Sequence, residues 1–312
     1  MSHCLYCYKA LANGEKDFHH ACARRFFGTT TAPTLDYRRD QIDELASQVI
    51  QEQTSLTGVQ PKLSMNLAKH EGSSRLTIVG LWGGYICKPQ AAHYAFLPEN
   101  EDLTMHLAQI ARIAVVPHTL MRMGDNSLCY ITKRIDRTAQ GEKIAMEDMC
   151  QITEHLTEHK YRSSHERIAK AIGQYSAMPQ LDTVNFFELV LFCWLTGNND
   201  MHLKNFSLYE PEEGTMLLTP AYDLLNAAIA NPDDDEELAL TLNGRKKHIV
   251  RKDFLAAAKT MNIGQHVAQK LINKYVKLYS KLCDMIEQSF LPPSLKEDYR
   301  ALLAHRLKLL QD

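Results

Sequence analysis

Long apolar runs are missing from this 312-residue chain. The strongly apolar run beside its densest polar motif, Leu189–Leu195, falls far short of the ~20 residues that a bilayer-spanning helix needs. The opening segment, MSHCLYCYKALANGEKDF, has no apolar core of the kind a secretory leader carries, so no signal peptide is expected. An excess of one charge is missing as well. The 35 Lys and Arg stand against 37 Asp and Glu, a net −2, which gives no global argument for DNA or an anionic membrane as partner. Repeats, low-complexity tracts and heptads are absent too. The eight cysteines are mostly scattered, as expected of thiols kept reduced in the cytoplasm. What is present is an ordinary globular composition, 45% hydrophobic and 23% charged, in a length suited to two lobes.

Three segments are expected. Residues 1–35 form a Cys/His-containing unit, residues 36–136 a small lobe, and residues 137–312 a larger helical lobe. In the first, Cys4 and Cys7 make a CxxC, and His19 with Cys22 an HxxC. Three sulfurs and one imidazole suit tetrahedral zinc; a small hairpin packed around buried thiols is the other reading. Residues 36–52 read as a helix with Ile42, Leu45 and Val49 on one face. Turn clusters such as Gly72-Ser73-Ser74 and Gly83-Gly84 punctuate a segment of strand composition in which alternating Leu63, Met65 and Leu67 predict one strand and YICKP another that stops at Pro89, and SLCYITKRID returns to strand after a helix, in the order strand, strand, strand, helix, strand. NEDLTMHLAQIARIAV reads as a helix with Leu103, Leu107, Ile110 and Ala111 inward. The fold class is therefore α+β: a small lobe with an antiparallel sheet and one helix, then a helical lobe.

In the larger lobe, TVNFFELVLFCWLTG predicts a long buried helix stopped by Gly197. FSLYE and TMLLTPAYDLL flank PEEG as a hairpin that Asp223 ends. The acidic run Asp233–Glu237 reads as a solvated loop. Val267, Leu271, Tyr275, Leu278, Leu282 and Ile286 mark one amphipathic helix, and Leu302, Leu303, Leu307 and Leu310 another.

The chemistry concentrates in TGNNDMHLKNFSLYE, Thr196 to Glu210. Asp200 and Asn205 lie five residues apart between a buried helix and a hairpin, with Asp223 beyond it. Phosphoryl transfer needs such a set: a carboxylate to orient the attacking hydroxyl, an amide and a second carboxylate to hold Mg²⁺, and a lysine to steady phosphates. Lys204 could neutralise the transferred phosphoryl charge. The order of helix, loop, hairpin and metal carboxylate follows the protein-kinase layout, with Asp200 as catalytic base and Asn205 and Asp223 as metal ligands. There is no HRD triplet, and YDL stands in place of DFG. Upstream, Lys88 occupies the ATP-lysine position and Glu101 that of its ion-pair partner. Lys133, Ile135 and Asp136 fall at a hinge that would meet adenine. TSLTGVQPK, with Ser55, Thr57 and a single glycine, Gly58, would be the loop over the phosphates. Singly, each residue also fits a plain role: a surface lysine, a helix-start Glu101, a turn-capping Asp200, a buttressing His202.

Jointly, GNNDMHLKNFSLY, YDLLNA, ELALTLNGRKKHIVRKDF, SLTGVQPKL and CLYCYKAL…DFHHACARRFFGT resemble the HipA family of bacterial serine/threonine kinase toxins over nearly the whole chain. The resemblance implies a two-lobed, protein-kinase-like fold, ATP and Mg²⁺ as cofactors, and a HipB-type DNA-binding antitoxin as partner, with no direct DNA binding by this chain. It implies an aminoacyl-tRNA synthetase as protein substrate and autophosphorylation on Ser55, with Thr57 a second hydroxyl in the same loop. HipA proteins carry an extra N-terminal region, whereas this chain opens on the CxxC unit. It is thus similar to the short HipT-like branch, in which a small HipS-like protein supplies that subdomain. Two other functions fit the motifs: a small-molecule kinase of the aminoglycoside or choline type, and a zinc-bearing regulator that binds ATP without turnover.

Overall fold

The computed structural model describes residues 2–41, 62–70, 73–79, 83–138 and 140–311. The expected helix face of Ile42, Leu45 and Val49, and the loop residues Ser55, Thr57 and Gly58, lie outside the described residues. The chain divides into two compact units. One comprises Met1–Asp102, Val116–Lys143 and Gln288–Phe290; the other Leu103–Val115, Ile144–Glu287 and Leu291–Asp312.

The first unit is built on a five-stranded antiparallel sheet of β1 (Leu63–His70), β2 (Ser73–Ile78), β3 (Tyr85–Pro89), β4 (His118–Arg122) and β5 (Leu128–Lys133), in the order β2-β1-β3-β5-β4. Strand β1 pairs Met65 with Ile78 and Leu67 with Leu76, so the alternation seen in the sequence faces one side of the pleat. The sequence reading missed β4. Its residues HTLMR open behind Pro117, a residue that a strand tolerates at its start, and β4 sits at the sheet edge, where a single neighbour satisfies half its backbone groups. The N-terminal segment carries helix α1 (His20–Phe27). Its Phe26 and Phe27 meet edge to face at 4.8 Å, and Phe26 reaches Tyr85 of β3 at 5.9 Å. This aromatic cluster fastens the segment to the sheet.

Helix α2 (Leu97–Ile110) departs from its expected one-sided pattern. Leu103 and Leu107 are buried as read and Ile110 is only half-buried, but Glu101, Asp102, Thr104 and His106 are buried as well. Buried charge survives only where it is paired, and the pairs of Glu101 and Asp102 described below account for the burial of both carboxylates.

The second unit is mostly helical. After the short α3 (Met149–Ile152) come α4 (His165–Tyr175) and the central α5 (Pro179–Thr196), whose last eight residues are all buried. Pro179 sits in its first turn, where the missing N–H costs nothing, and Gly197 ends it at φ 76°. A Cβ at Gly197 would stand 2.5 Å from Asn226 Oδ1, so both the left-handed backbone and the close approach require glycine. A three-stranded antiparallel sheet follows the order β6-β7-β8 (Met146–Asp148, Ser207–Glu212, Thr215–Leu218). Its hairpin turns at Gly214, as expected, but β8 stops at Leu218, so Asp223 lies beyond the hairpin rather than at its end.

Helices α6 (Ala227–Ala230), α7 (Arg251–Thr260), α8 (Gln265–Gln288) and α9 (Pro293–Gln311) complete the unit. On α8 the buried stripe is Ala268, Ile272, Tyr275, Leu282 and Ile286, while the expected Val267 is exposed. Steps of four residues overshoot a 3.6-residue turn by about 40° each, so Val267 has drifted off the face that Tyr275 occupies. The acidic run is only half a solvated loop. Asp233–Asp235 are exposed, but Glu237 accepts Trp194 Nε1 at 2.7 Å and the His248 N–H at 2.9 Å. No helix among the described residues is long and apolar enough to cross a membrane.

Candidate active site

Within the second unit the motif forms a tight loop between α5 and β7. Its backbone is tied by His202 N–H to the Asp200 carbonyl at 2.8 Å and by Asn205 N–H to the His202 carbonyl at 2.9 Å. The Asn205 side chain donates Nδ2 to the Asp200 carbonyl at 3.1 Å, which leaves its Oδ1 oxygen as the group it can offer a cation. One Asp200 oxygen, Oδ1, accepts the Tyr161 hydroxyl at 2.6 Å. The tyrosine fixes the carboxylate's rotamer and leaves Oδ2 to face a substrate. Burial and then the charge of Asp200 push the Tyr161 hydroxyl up, so it remains a proton donor.

His202 packs edge-on against Tyr161 at 5.1 Å. Burial drives its imidazole down to about 4, opposed by the charge of Asp200, so the ring is neutral near pH 7. A neutral ring packed on the tyrosine buttresses the loop.

Asn198 connects the two acidic positions. It is fully buried, its Oδ1 accepts the Asp200 N–H at 3.4 Å, and its Nδ2 donates to the Asp223 carbonyl at 3.4 Å. Both contacts are long, yet one side chain spans from the loop to the segment after β8. Asp223 itself has φ 55°, a left-handed conformation that a non-glycine residue adopts at a cost of about 1 kcal/mol. The preceding Tyr222 holds it there, with its hydroxyl 2.6 Å from Ser207 Oγ and donating to the Lys204 carbonyl at 3.2 Å. An acidic residue held by its neighbours and an amide whose Nδ2 is already used offer oxygen donors of the kind a hard cation such as Mg²⁺ takes.

Lys204 is committed elsewhere: its Nζ lies 2.7 Å from Asp148 Oδ2. Asp148 is also the N-cap of α3, in a capping box with Gln151. With 38% of its side chain exposed, Lys204 can leave this ion pair at small cost.

In the first unit, Lys88 on β3 and Glu101 on α2 form an ion pair at 2.5 Å, both about 95% buried. The Lys88 ammonium also lies 5.4 Å from the centre of the Tyr130 ring. The neighbouring Asp102 is fully buried and accepts Tyr8 hydroxyl at 2.7 Å and His118 Nδ1 at 2.6 Å. At the expected hinge, Lys133 stands over Phe26 at 5.4 Å, Ile135 is half-buried, and Asp136 is clasped by the Arg134 guanidinium at 2.8 and 2.6 Å. That carboxylate is therefore committed to Arg134.

The structure thus gathers Asp200, Asn205 and Asp223 in one unit, and Lys88 with Glu101 in the other. Sequence reasoning missed Tyr161, Asn198, Asp148, Tyr8, Asp102 and His118. Asp148 had a signal in its D-x-x-Q capping box, and Asn198 in its place within NNDMH. The others come from distant points in the chain.

A family model described as the HipA-like C-terminal domain matches residues 54–283. A "Putative kinase" of Haemophilus influenzae is 25% identical over 83% of this chain and 82% of its own length. Putative kinase Y4dM of Sinorhizobium fredii is 32% identical over 65% of this chain, and a serine/threonine-protein kinase toxin HipA of Shewanella oneidensis 24% identical over 80%. The chain spans only 52% and 61% of the lengths of these last two. The solved Shewanella oneidensis complex of HipA, HipB and operator DNA matches the fold with a TM-score of 0.70 at 21% identity, covering 97% of this chain and 74% of that one. The α+β architecture, an antiparallel-sheet unit and a helical unit, is that of HipA. On the family match over most of its length, this chain belongs to the HipA-like C-terminal domain family.

Proposed function

We propose that this protein is an ATP-dependent serine/threonine protein kinase. The observation that supports it most is the Asp200–Asn205–Asp223 constellation, with Asp200 oriented by Tyr161 and the two acidic positions bridged by Asn198. The family's curated relatives are named as kinases.

Asp200 Oδ2 receives the proton of the attacking hydroxyl as its oxygen bonds to the γ-phosphorus and the bond to the ADP oxygen breaks. Asn205 Oδ1 and the Asp223 carboxylate would hold Mg²⁺, which when bound neutralises phosphate charge. Lys88, fixed by Glu101, steadies the ATP phosphates, and the backbone around Lys133, Ile135 and Asp136 meets the adenine. Lys204, released from Asp148, would balance charge on the transferred group. Ser55 and Thr57 are the sites of autophosphorylation, where about −1.5 to −2 added charge repels ATP.

The name of the Shewanella relative supports a toxin role, and the complex of that organism's HipA with HipB supports a HipB-type antitoxin as partner. An aminoacyl-tRNA synthetase as substrate and a HipS-like companion rest on the family resemblance alone. The test is incubation of the purified protein with labelled ATP and a bacterial lysate, followed by identification of the labelled residues. Label on Ser or Thr of a lysate protein is expected. Label on small alcohols alone would establish the small-molecule kinase instead, and ATP binding without transfer would establish the regulator.

A further inference from the structure

The N-terminal segment carries a cluster that phosphoryl transfer does not use. Cys4, Cys7, His19 and Cys22 bring three Sγ atoms and one ring nitrogen within 4.8 Å of one another. They come from two structural pieces. Cys4 and Cys7 lie on a tight turn, closed by Tyr8 N–H to the Cys4 carbonyl and Cys4 N–H to the Lys9 carbonyl, both at 2.9 Å. His19 is the N-cap of α1 and Cys22 lies in its first turn.

The distances decide what the cluster is for. Four ligands at tetrahedral angles, with Zn–S about 2.3 Å and Zn–N about 2.0 Å, stand about 3.8 Å apart for S···S and about 3.5 Å for S···N. Here His19 Nδ1 lies 3.4 Å from Cys7 Sγ and 3.7 Å from Cys22 Sγ. A pair of thiol hydrogen bonds does not explain both. His19 Nε2 is 3.0 Å from the Ala10 carbonyl, an acceptor, so the ring proton sits on Nε2 and Nδ1 offers one lone pair. One lone pair accepts one thiol proton well, whereas a metal ion takes that lone pair and both sulfurs at once. The His19–Ala10 contact is also the outer hydrogen bond that fixes the tautomer of a metal-binding imidazole. None of the four residues is in a disulfide, and one ring nitrogen with three thiolates selects zinc over hard cations.

We propose that Cys4, Cys7, His19 and Cys22 bind one structural zinc ion. All four positions are filled by protein, so the site is closed and has no place for a substrate or water. Its consequence is mechanical. Tyr8, directly after Cys7, is fully buried, holds φ 62°, and donates to Asp102 at 2.7 Å. The zinc locks the turn that keeps Tyr8 in this strained conformation, and through Tyr8 it anchors the first half of α2. The proposal does not depend on the kinase reading.

The experiment measures metal content by plasma mass spectrometry on the full chain purified without chelator, then titrates cobalt(II) into demetallated protein. About one zinc per chain is expected, together with the intense visible bands and sulfur charge-transfer absorption of tetrahedral thiolate-bound cobalt. Cys7→Ser and Cys22→Ser should lose the zinc, His19→Cys should keep it, and Cys283→Ser, which is not one of the four ligands, should be unaffected. Chelation should lower the melting temperature of the parent and not that of Cys22→Ser. If Cys7→Ser does not fold, zinc content and the cobalt spectrum of the parent chain decide the matter. A parent protein with no metal, with iron in place of zinc, or with the weak bands of octahedral cobalt overturns the proposal.

Discussion

The two units hold their charged groups by opposite means. In the sheet unit, Lys88, Glu101, Asp102 and His118 are almost wholly buried and fixed by one another, at 2.5 Å and 2.6 Å. In the helical unit, Asp200, Lys204 and Asn205 are half-buried, and backbone hydrogen bonds shape the loop that carries them. Buried pairs give rigidity at a desolvation cost, and replacing one partner leaves a costly lone charge. Loop groups remain free to exchange partners with a substrate, which a proton acceptor and metal ligands must do. On the proposed function, the difference separates a part that positions from a part that reacts.

The comparison breaks most sharply at Asp223. Asp223→Ala should lower Mg²⁺-dependent ATP affinity and phosphoryl transfer together, the latter by about 10³-fold, because a charged ligand is lost. Calorimetry with and without Mg²⁺ checks it, and unchanged affinity would remove the metal-ligand role. Lys88→Met comes next. It removes the cation that faces the buried Glu101 carboxylate and should cost about 10²-fold in kcat/KM along with a lower melting temperature. The double variant Lys88→Met with Glu101→Leu should recover the melting temperature and not the rate. Recovery of both would show that the pair serves stability alone.

The smallest effect concerns pH. His165 on α4 is fully buried between Phe186 and Phe206, and among the described residues neither ring nitrogen has a hydrogen-bond partner. Burial pushes it from 6.5 down to about 3. Between these values the unfolded chain binds a proton that the folded chain refuses, so stability is fully present above pH 6.5 and is lost as pH falls towards 3. His165→Phe should flatten that decline and add about 3 kcal/mol near pH 4.5 relative to neutral pH, in denaturant unfolding. An unchanged decline would contradict the assignment.

Legibility in the sequence follows the same division. Asp200, Asn205 and Gly197 were readable because a loop and a helix stop are local, set by neighbours a few residues away. The α5 helix and the hairpin of β7 and β8 were readable for the same reason, through periodicity and turn residues. The partners that orient the site come from afar: Tyr161 lies 39 residues from Asp200, and Tyr8 94 residues from Asp102. No periodicity encodes such a pair. Strand β4 is hidden because its buried positions include the polar His118 and Thr119, and the burial of Asp102 on α2 is hidden because its partners Tyr8 and His118 belong to other elements. The ion pair of Lys204 is not legible in the sequence, because its partner Asp148 lies 56 residues away at the end of β6.

The central claim is that Asp200 is the proton acceptor of a protein kinase. It is tested most directly by Asp200→Asn, assayed in parallel with the parent chain for ATP binding by calorimetry and for label transfer to protein Ser and Thr. The amide is isosteric and can still meet the Tyr161 hydroxyl, so ATP affinity should stay within about twofold while transfer falls by about 10³-fold or more. Transfer at the parent rate by the Asn variant would contradict the account.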